Sequence, residues 1–275
     1  MADADAPTDT INERDFIQSI ERGFAVLTAF DADAPRPTLA DIAKRTGFSR
    51  PAVRRILLTL QQLGYVTGSN GRWTLTPRVL SIGQHYTASH ALIEISQPHL
   101  VALAEHTSEP ASLAALDGTE VVHIADVPVR RIMSVNVSVG MRAAAYPTSM
   151  GRILLAWRGS EFIESYLGQV SIEPFTAQTV KSPDELRRVL EQVRHDGYSI
   201  VDEELEQGLL SASAPVRNAE GEVVAALASW TSKGRSTAKQ MRDRVVPKLV
   251  ELAASISTDL GHKAGITKMR GSGRG

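Results

Sequence analysis

Apolar positions along the chain alternate between helical and strand spacing. Ile17, Ile20, Phe24, Leu27 and Phe30 recur at helical spacing and predict a first helix. A short second helix is predicted over residues 39–46, because Thr38 stands as a hydroxyl N-cap, Asp41 lies in the first turn, Lys44 and Arg45 lie in the last, and Gly47 follows. After the turn Gly47-Phe48, Ser49 is placed to cap a third helix with Pro51 in its first turn, and Val53, Ile56, Leu57, Leu60 and Leu63 give that helix one apolar face. Residues 65–67 and 72–75 flank Gly68-Ser69-Asn70-Gly71, and Asn-Gly is a strong hairpin signal. Helices, tight turn and ribbon in this order predict a winged helix-turn-helix.

Beyond Pro77, helical patterns over 78–89 and 92–105 carry Leu80, Ile82, Ile93, Ile95, Leu100 and Leu103. They are expected to link two domains, and apolar faces there suit a dimer interface. From about residue 111 the period shortens to that of strands, at 112–116 and 121–125 around the turn Asp117-Gly118, and again at 132–139. The turn Ser149-Met150-Gly151 precedes an apolar helix at 153–157. Helices follow at 161–167 and 183–195, the second with a capping box of Ser182 and Glu185. Strands at 211–216 and 223–229 flank the turn 218–221, and a long helix over 238–260 ends at Gly261. Such an order predicts an α+β fold with a mainly antiparallel sheet. The expected organisation is a disordered tail at 1–15, the winged domain at 16–76, linker helices at 77–106, the α+β domain at 107–262 and a second tail at 263–275.

A chain of 275 residues, 43% of them hydrophobic, can build two cores. Net charge is only −1, yet residues 44–93 hold no Asp or Glu, while Lys44, Arg45, Arg50, Arg54, Arg55, Arg72 and Arg78 all fall there. Acid is concentrated elsewhere, as in Asp202-Glu203-Glu204-Leu205-Glu206. Positive charge gathered on a compact helix-turn-helix predicts double-stranded DNA as a partner. Arg50 and Arg54 share a helix face with Arg55 beside them; with Ser49 at the helix start they are the expected groove and phosphate contacts. Arg72, at the edge of the wing, is placed for a phosphate or the minor groove. One arginine alone is usually a solvated surface charge, so the ordered arrangement carries the inference.

The absence of cysteine excludes disulfides, thiolate zinc sites and cysteine nucleophiles. Neither a signal-peptide pattern nor an apolar run of membrane-spanning length occurs, so a cytoplasmic protein with no membrane partner is expected. His99 and His106, seven apart, do not supply the three or four converging ligands that a metal site needs and read as surface or interface residues; no metal and no cofactor are expected. An enzyme with a DNA-binding domain is the rival reading. His123 with Asp126, and Ser211, Ser213, Asp202 and His195, are its only raw material, without a nucleophile elbow, phosphate loop or His-Glu-x-x-His motif.

Ser19-Ile20-Glu21-Arg22-Gly23, Leu39-Ala40-Asp41-Ile42-Ala43, Leu63-Gly64-Tyr65-Val66, Tyr146-Pro147-Thr148-Ser149-Met150-Gly151-Arg152, Asp202-Glu203-Glu204, and Ala214-Pro215-Val216-Arg217 with Gly221 resemble the IclR family of bacterial transcription regulators over about residues 16–260. Arg130-Arg131-Ile132-Met133-Ser134-Val135, followed by the Tyr146–Arg152 motif, is similar to the branch that controls catabolism of aromatic acids such as protocatechuate and 4-hydroxybenzoate through the β-ketoadipate pathway, which implies an aromatic acid or an intermediate of that pathway as effector. The resemblance implies a GAF-like C-terminal domain that binds a small carboxylate effector and alters the grip of a homodimer or homotetramer on an operator. Backbone N–H groups at Ser149, Met150 and Gly151 can cradle a carboxylate, and by the family pattern Asp202, Ser211, Ser229 and Thr231 line the same cavity. Ser211 stands where many relatives carry cysteine, and Thr231 where many carry serine. Arg142 and Tyr146 are candidates to hold a carboxylate and an aromatic ring, or else a surface arginine and a core tyrosine.

Overall fold

Reciprocal capping sets the first helix pair. In the computed structural model, which describes residues 15–30, 35–82, 91–129 and 137–263, Asp41 N–H donates to Thr38 Oγ1 at 3.2 Å and Thr38 N–H donates to Asp41 Oδ2 at 2.8 Å. This closes a capping box on α2 (Leu39–Thr46). The Thr38 N–H foremost, and then the Thr38 hydroxyl donating to Asp41 Oδ2 at 2.7 Å, hold the Asp41 carboxyl below its ordinary value. Gly47, at φ 71°, turns the chain out of α2 and toward α3 (Arg50–Gln62).

The core of this unit is Val26, Ile42, Val53, Leu57, Leu60 and Val66. Helix α1 (Gln18–Thr28) is rolled differently from the expected stripe: Ile17, Ile20 and Phe24 are exposed, and Val26 is its buried residue. Leu63 is also half-exposed, one residue past the end of α3. Strands β1 (Val66–Ser69) and β2 (Arg72–Leu75) pair antiparallel, with Asn70 and Gly71 at φ 53° and 74° between them. Two positive φ values make the turn whose twist suits a hairpin. Trp73 lies against Gly68, where a Cβ would approach the ring to 3.1 Å. A 3-10 turn, Pro77–Val79, follows. The rest of the helix expected to 89, most of the strand expected at 132–139, and all but the edges of the two tails lie outside the described residues.

The chain divides into two compact units, with the boundary between Ser89 and His90. The second unit is built on a six-stranded antiparallel sheet of β3 (Ala111–Asp117), β4 (Glu120–Val127), β5 (Arg142–Ala144), β6 (Ser199–Asp202), β7 (Leu209–Arg217) and β8 (Val223–Ser232), in the order β5-β4-β3-β8-β7-β6. Helix α4 (Ala91–Thr107), expected as a linker, sends Leu100 and Leu103 into the core on one sheet face. The opposite face is covered by α5 (Ser149–Ala156), α6 (Ser160–Gln169) and α7 (Pro183–Asp196). The Ser182 hydroxyl accepts from Glu185 N–H as expected, but the Glu185 carboxylate turns to Lys181 N–H at 2.9 Å, so the box is only half formed. The long C-terminal helix is interrupted: a short α8 (Ala238–Gln240) runs through a π turn at Met241–Val245 into α9 (Val246–Asp259). Pro247 supplies the reason, having no N–H to carry a regular helical bond across that point. Helix α9 joins α4 on their shared face.

Helix α5 lies so close to the preceding segment that only glycine fits at position 151. A Cβ built there would stand 2.0 Å from the Ala145 carbonyl oxygen. Gly151→Ala is therefore expected to lower stability by about 3 kcal/mol or more, the upper end of overpacking costs. A urea denaturation midpoint equal to that of the parent chain would show that the contact is not tight.

Candidate functional site

The basic face of the first unit rests on α3. Arg50 and Arg54, one turn apart, are exposed and make no hydrogen bond or ion pair among the described residues. Arg55 is turned away from them and lines a groove against α1 with Ile20, Phe24, Ile56, Leu63 and Tyr65. Ser49, expected to cap α3, holds only the N-cap backbone conformation, and its exposed hydroxyl makes no capping bond. Arg72 spends part of its guanidinium on the protein, Nη1 donating to the Arg36 carbonyl at 2.9 Å beside the Thr38–Arg72 bridge that ties the wing to the entry of α2.

In the second unit the sheet face under α5 carries a transverse row of small or polar residues. Asp126 pairs with Ser112, Ser112 with Ala228, Ala228 with Ser213, and Ser213 with Ser199. Directly opposed residues in antiparallel strands share a face, so the row crosses five strands on one side. At its β7 end Ser213 Oγ meets Ser149 Oγ at 2.7 Å, in the first turn of α5. Thr148 caps that helix, accepting from Gly151 N–H at 3.0 Å. Ser149, Met150 and Gly151 are thus inside the helix rather than in a turn before it. Gly151 has its donor spent and serves close packing, which leaves Ser149 N–H and Met150 N–H as the open donors of the turn.

The β4 end of the row is polar and buried. Ser112 Oγ lies 2.6 Å from His123 Nδ1 and 2.9 Å from the Ala125 carbonyl. A carbonyl only accepts, so the single hydroxyl proton goes to Ala125, and His123 Nδ1–H is the donor to Ser112. Burial pushes the imidazole down to about 4, which keeps it neutral with Nε2 as its acceptor, and pushes the Asp126 carboxyl up to about 6. Trp230 meets His123 edge to face, with ring centroids 6.2 Å apart. Trp230 Nε1, Asp126 Oδ1 and Ser199 Oγ are buried with no hydrogen-bond partner among the described residues. All three lie on one face, Ser199 at its β6 end and the other two toward β4, and each is a group that a ligand or water would satisfy.

The expected effector residues are divided by strand register. Ser211 pairs with Trp230 and shares the α5 face. Ser229 opposes Ala212, Thr231 opposes Leu210, and Asp202 also opposes Leu210, all on the α4 side of the sheet. Thr231 donates to Glu109 at 2.8 Å, and Asp202 lies 3.1 Å from Lys233. Arg142 is an edge residue of β5 bound to Glu120 and Asp117 at 2.7 and 2.8 Å. The Tyr146 hydroxyl donates to the Glu173 carbonyl and accepts from Glu173 N–H, at 2.8 and 2.9 Å, as a core residue would. Of the residues of the rival enzyme reading, His123 and Asp126 share a face but the others do not join them: Ser213 faces another serine, Asp202 lies across the sheet, and His195 is exposed in the last turn of α7. His123 is a donor to Ser112, not its base. Sequence reasoning missed Arg152 and Trp230, and it paired His123 with Asp126 only as material for an enzyme. The run of alternating serines at 211 and 213 was the legible signal for the face.

Residues 19–69 match the family described as "IclR helix-turn-helix domain", and residues 84–258 match "Bacterial transcriptional regulator IclR C-terminal". The Pca regulon regulatory protein of Pseudomonas putida is 42% identical over 250 residues, covering 90% of this chain and 84% of that one. The p-hydroxybenzoate hydroxylase transcriptional activator of Acinetobacter baylyi is 32% identical, covering 88% and 91%. Among solved structures, an IclR homologue of Microbacterium hydrocarbonoxydans complexed with 4-hydroxybenzoate superposes with a TM-score of 0.77 at 26% identity, covering 88% of this chain and 98% of that one. No helix among the described residues is long and apolar enough to cross a membrane.

The buried pair at 123 and 126 has opposed effects on acid stability. Native His123 declines, down to about pH 4, a proton that the unfolded chain accepts near 6.5, so its contribution is present above 6.5 and lost as pH falls toward 4. Native Asp126 keeps, up to about pH 6, a proton that the unfolded chain releases near 3.8, so its contribution is present below 3.8 and lost as pH rises through 6. Asp126→Asn removes only the second. Its thermal midpoint is expected to drop more steeply than the parent's between pH 6.5 and pH 4; parallel profiles would contradict the assignment.

Proposed function

Because the chain belongs to the IclR family of bacterial transcription regulators, we propose that it binds operator DNA as a homodimer or homotetramer and is switched by a small aromatic carboxylate. The observation that carries this reading is the presence of two separate sites in one chain. One unit offers exposed Arg50 and Arg54, unpaired among the described residues, within the stretch 44–93 that holds no Asp or Glu; the other holds backbone donors at Ser149 and Met150 on the same sheet face as buried polar atoms that have no partner among the described residues. The first suits phosphates and base edges, the second an organic anion. The regulators of Pca genes and of p-hydroxybenzoate hydroxylase among its relatives, and the homologue complexed with 4-hydroxybenzoate, support an aromatic acid as the effector class.

On this reading Arg50 and Arg54 enter the major groove, Ser49 and Arg72 contact the backbone, and Arg55 stands at the margin of the contact. A two-fold assembly would place its recognition helices about 34 Å apart, one turn of DNA, or a multiple of that. The effector would act by binding one arrangement of the assembly more tightly. A difference of about 1–3 kcal/mol between arrangements gives a roughly 5–150-fold change in operator affinity.

Arg54→Ala is expected to weaken specific operator binding by about 1–3 kcal/mol while effector binding is retained. Gel-shift titration at fixed salt, on DNA upstream of the gene for this chain, measures the first, and calorimetry with 4-hydroxybenzoate the second. Unaltered operator affinity would displace Arg54 from the recognition helix. Ser149→Trp is expected to give the reverse, abolishing the effector response while DNA binding survives; a persisting response would place the pocket elsewhere.

A further inference from the structure

The row across the α5 face has two chemically different ends. One carries the Ser149 and Met150 N–H groups, which suit a carboxylate. The other carries His123, Asp126 and Trp230, about three strand spacings or ~14 Å away from Ser213 along the Ser213-Ala228-Ser112-Asp126 pairs. A β-bulge brings this far end together. Ser112 and Ala114 are two residues apart on β3, but their partners Asp126 and His123 are three apart on β4, with the register shift between Leu113 and Ala114. Three residues apart on a regular strand, His123 and Asp126 would face opposite sides; the extra residue puts both on the α5 face. Bulges re-aim side chains at sites in this way.

The groups assembled there form a matched set. His123 Nε2 is an acceptor because Nδ1–H is committed to Ser112. Asp126 Oδ1 is a second acceptor, buried and without a partner among the described residues. Trp230 Nε1 can only donate; it is likewise unpartnered, in a side chain only 6% exposed. Acceptors and a donor gathered at one end of the face, with His123 and Trp230 in ring contact, fit a hydroxyl group, which gives one hydrogen bond and receives another. They do not fit a second carboxylate, which would face two acceptors and find one donor. Between the two ends lie Ala228 and Ala226, whose small side chains leave the middle of the face apolar and low.

Resting on the reading of this site as an aromatic-acid pocket, we infer that His123, Asp126 and Trp230 are specificity determinants that read a ring hydroxyl at the end of the ligand remote from its carboxylate. The effector class is thereby narrowed to hydroxylated benzoates, with unsubstituted benzoate and aliphatic diacids as poor ligands. A site that hydrogen-bonds a substrate hydroxyl rejects the analogue without it, because its own buried groups are then left unpaired.

Isothermal calorimetry of the full chain with 4-hydroxybenzoate, protocatechuate and benzoate tests this. The wild type is expected to bind at least one hydroxylated acid about tenfold or more tightly than benzoate. In Asp126→Ala and in His123→Phe the ratio is expected to fall toward one while benzoate affinity stays within about twofold of the parent, which also reports that the variants are folded. A wild-type ratio near one overturns the inference whatever the variants do, and leaves the aromatic-acid reading standing. A ratio retained in both variants overturns the assignment of these residues. Failure of all three acids to bind the wild type overturns the aromatic-acid reading, and this inference with it.

Discussion

The second unit depends on one buried ion pair. Arg152, in α5, is 3% exposed, and its Nη2 lies 2.5 Å from Glu204 Oε2. A charge removed from water must be paired and its remaining hydrogen-bond capacity used, and here both conditions shape the fold. Arg152 Nε donates to the Tyr146 carbonyl at 3.1 Å, fixing the chain just before α5. Glu204 accepts also from Val180 N–H at 3.1 Å, while its own carbonyl receives the Thr179 hydroxyl at 2.6 Å. Thr176 makes the matching bond to the Glu203 carbonyl. The pair therefore joins α5, the segment leading to α7, and the loop between β6 and β7. With those three fixed, Gly151 can be pressed against Ala145 and Ser149 can sit over Ser213.

Much of the first unit was legible because its signals are local. The Thr38–Asp41 box, the glycine at 47 and the Asn70-Gly71 turn each depend on residues within four positions of one another, and each forms as read, while Ser49 contributes only its backbone. The rolled α1 was not legible, since Ile20 and Phe24 satisfy helical periodicity whether they face a core or lie exposed along a groove. In the second unit the antiparallel α+β class was legible, whereas β5 and β6 were not: three and four residues are too short for a period of two to register. Arg142 and Tyr146 illustrate the remaining difficulty. Their partners, Glu120 and Asp117 for one and Glu173 for the other, are 22 to 27 positions away, and no spacing rule reaches them.

The same limit governs the site. Ser211 and Ser213 alternate on a regular strand and so share a face, a relation visible in the sequence. Asp202, Ser229 and Thr231 look equivalent by composition, yet pairing to Leu210 and Ala212 places them on the far side. One slip in register sends a whole set of side chains to the other face, so a strand's polar residues can be named long before their direction is known. His123 and Asp126 show the converse, since their spacing argues against a shared face and only the bulge creates it.

A core in which Trp230 Nε1 and Asp126 Oδ1 have no partner among the described residues is less stable than one in which both are satisfied, by about 1–3 kcal/mol for each group left unpaired. Selection for stability alone would have placed apolar side chains there, as it has with Leu113 and Leu227 on the opposite face. On the proposed reading the cost would be recovered when a molecule of complementary pattern enters. On that reading such a site would gain selectivity and ligand-dependent stability from the same atoms: the free unit would be loosened by its unsatisfied groups, and the bound unit tightened by the amount the ligand restores. A regulator needs that difference between free and bound states at least as much as it needs affinity, because a ligand that binds both states equally shifts nothing.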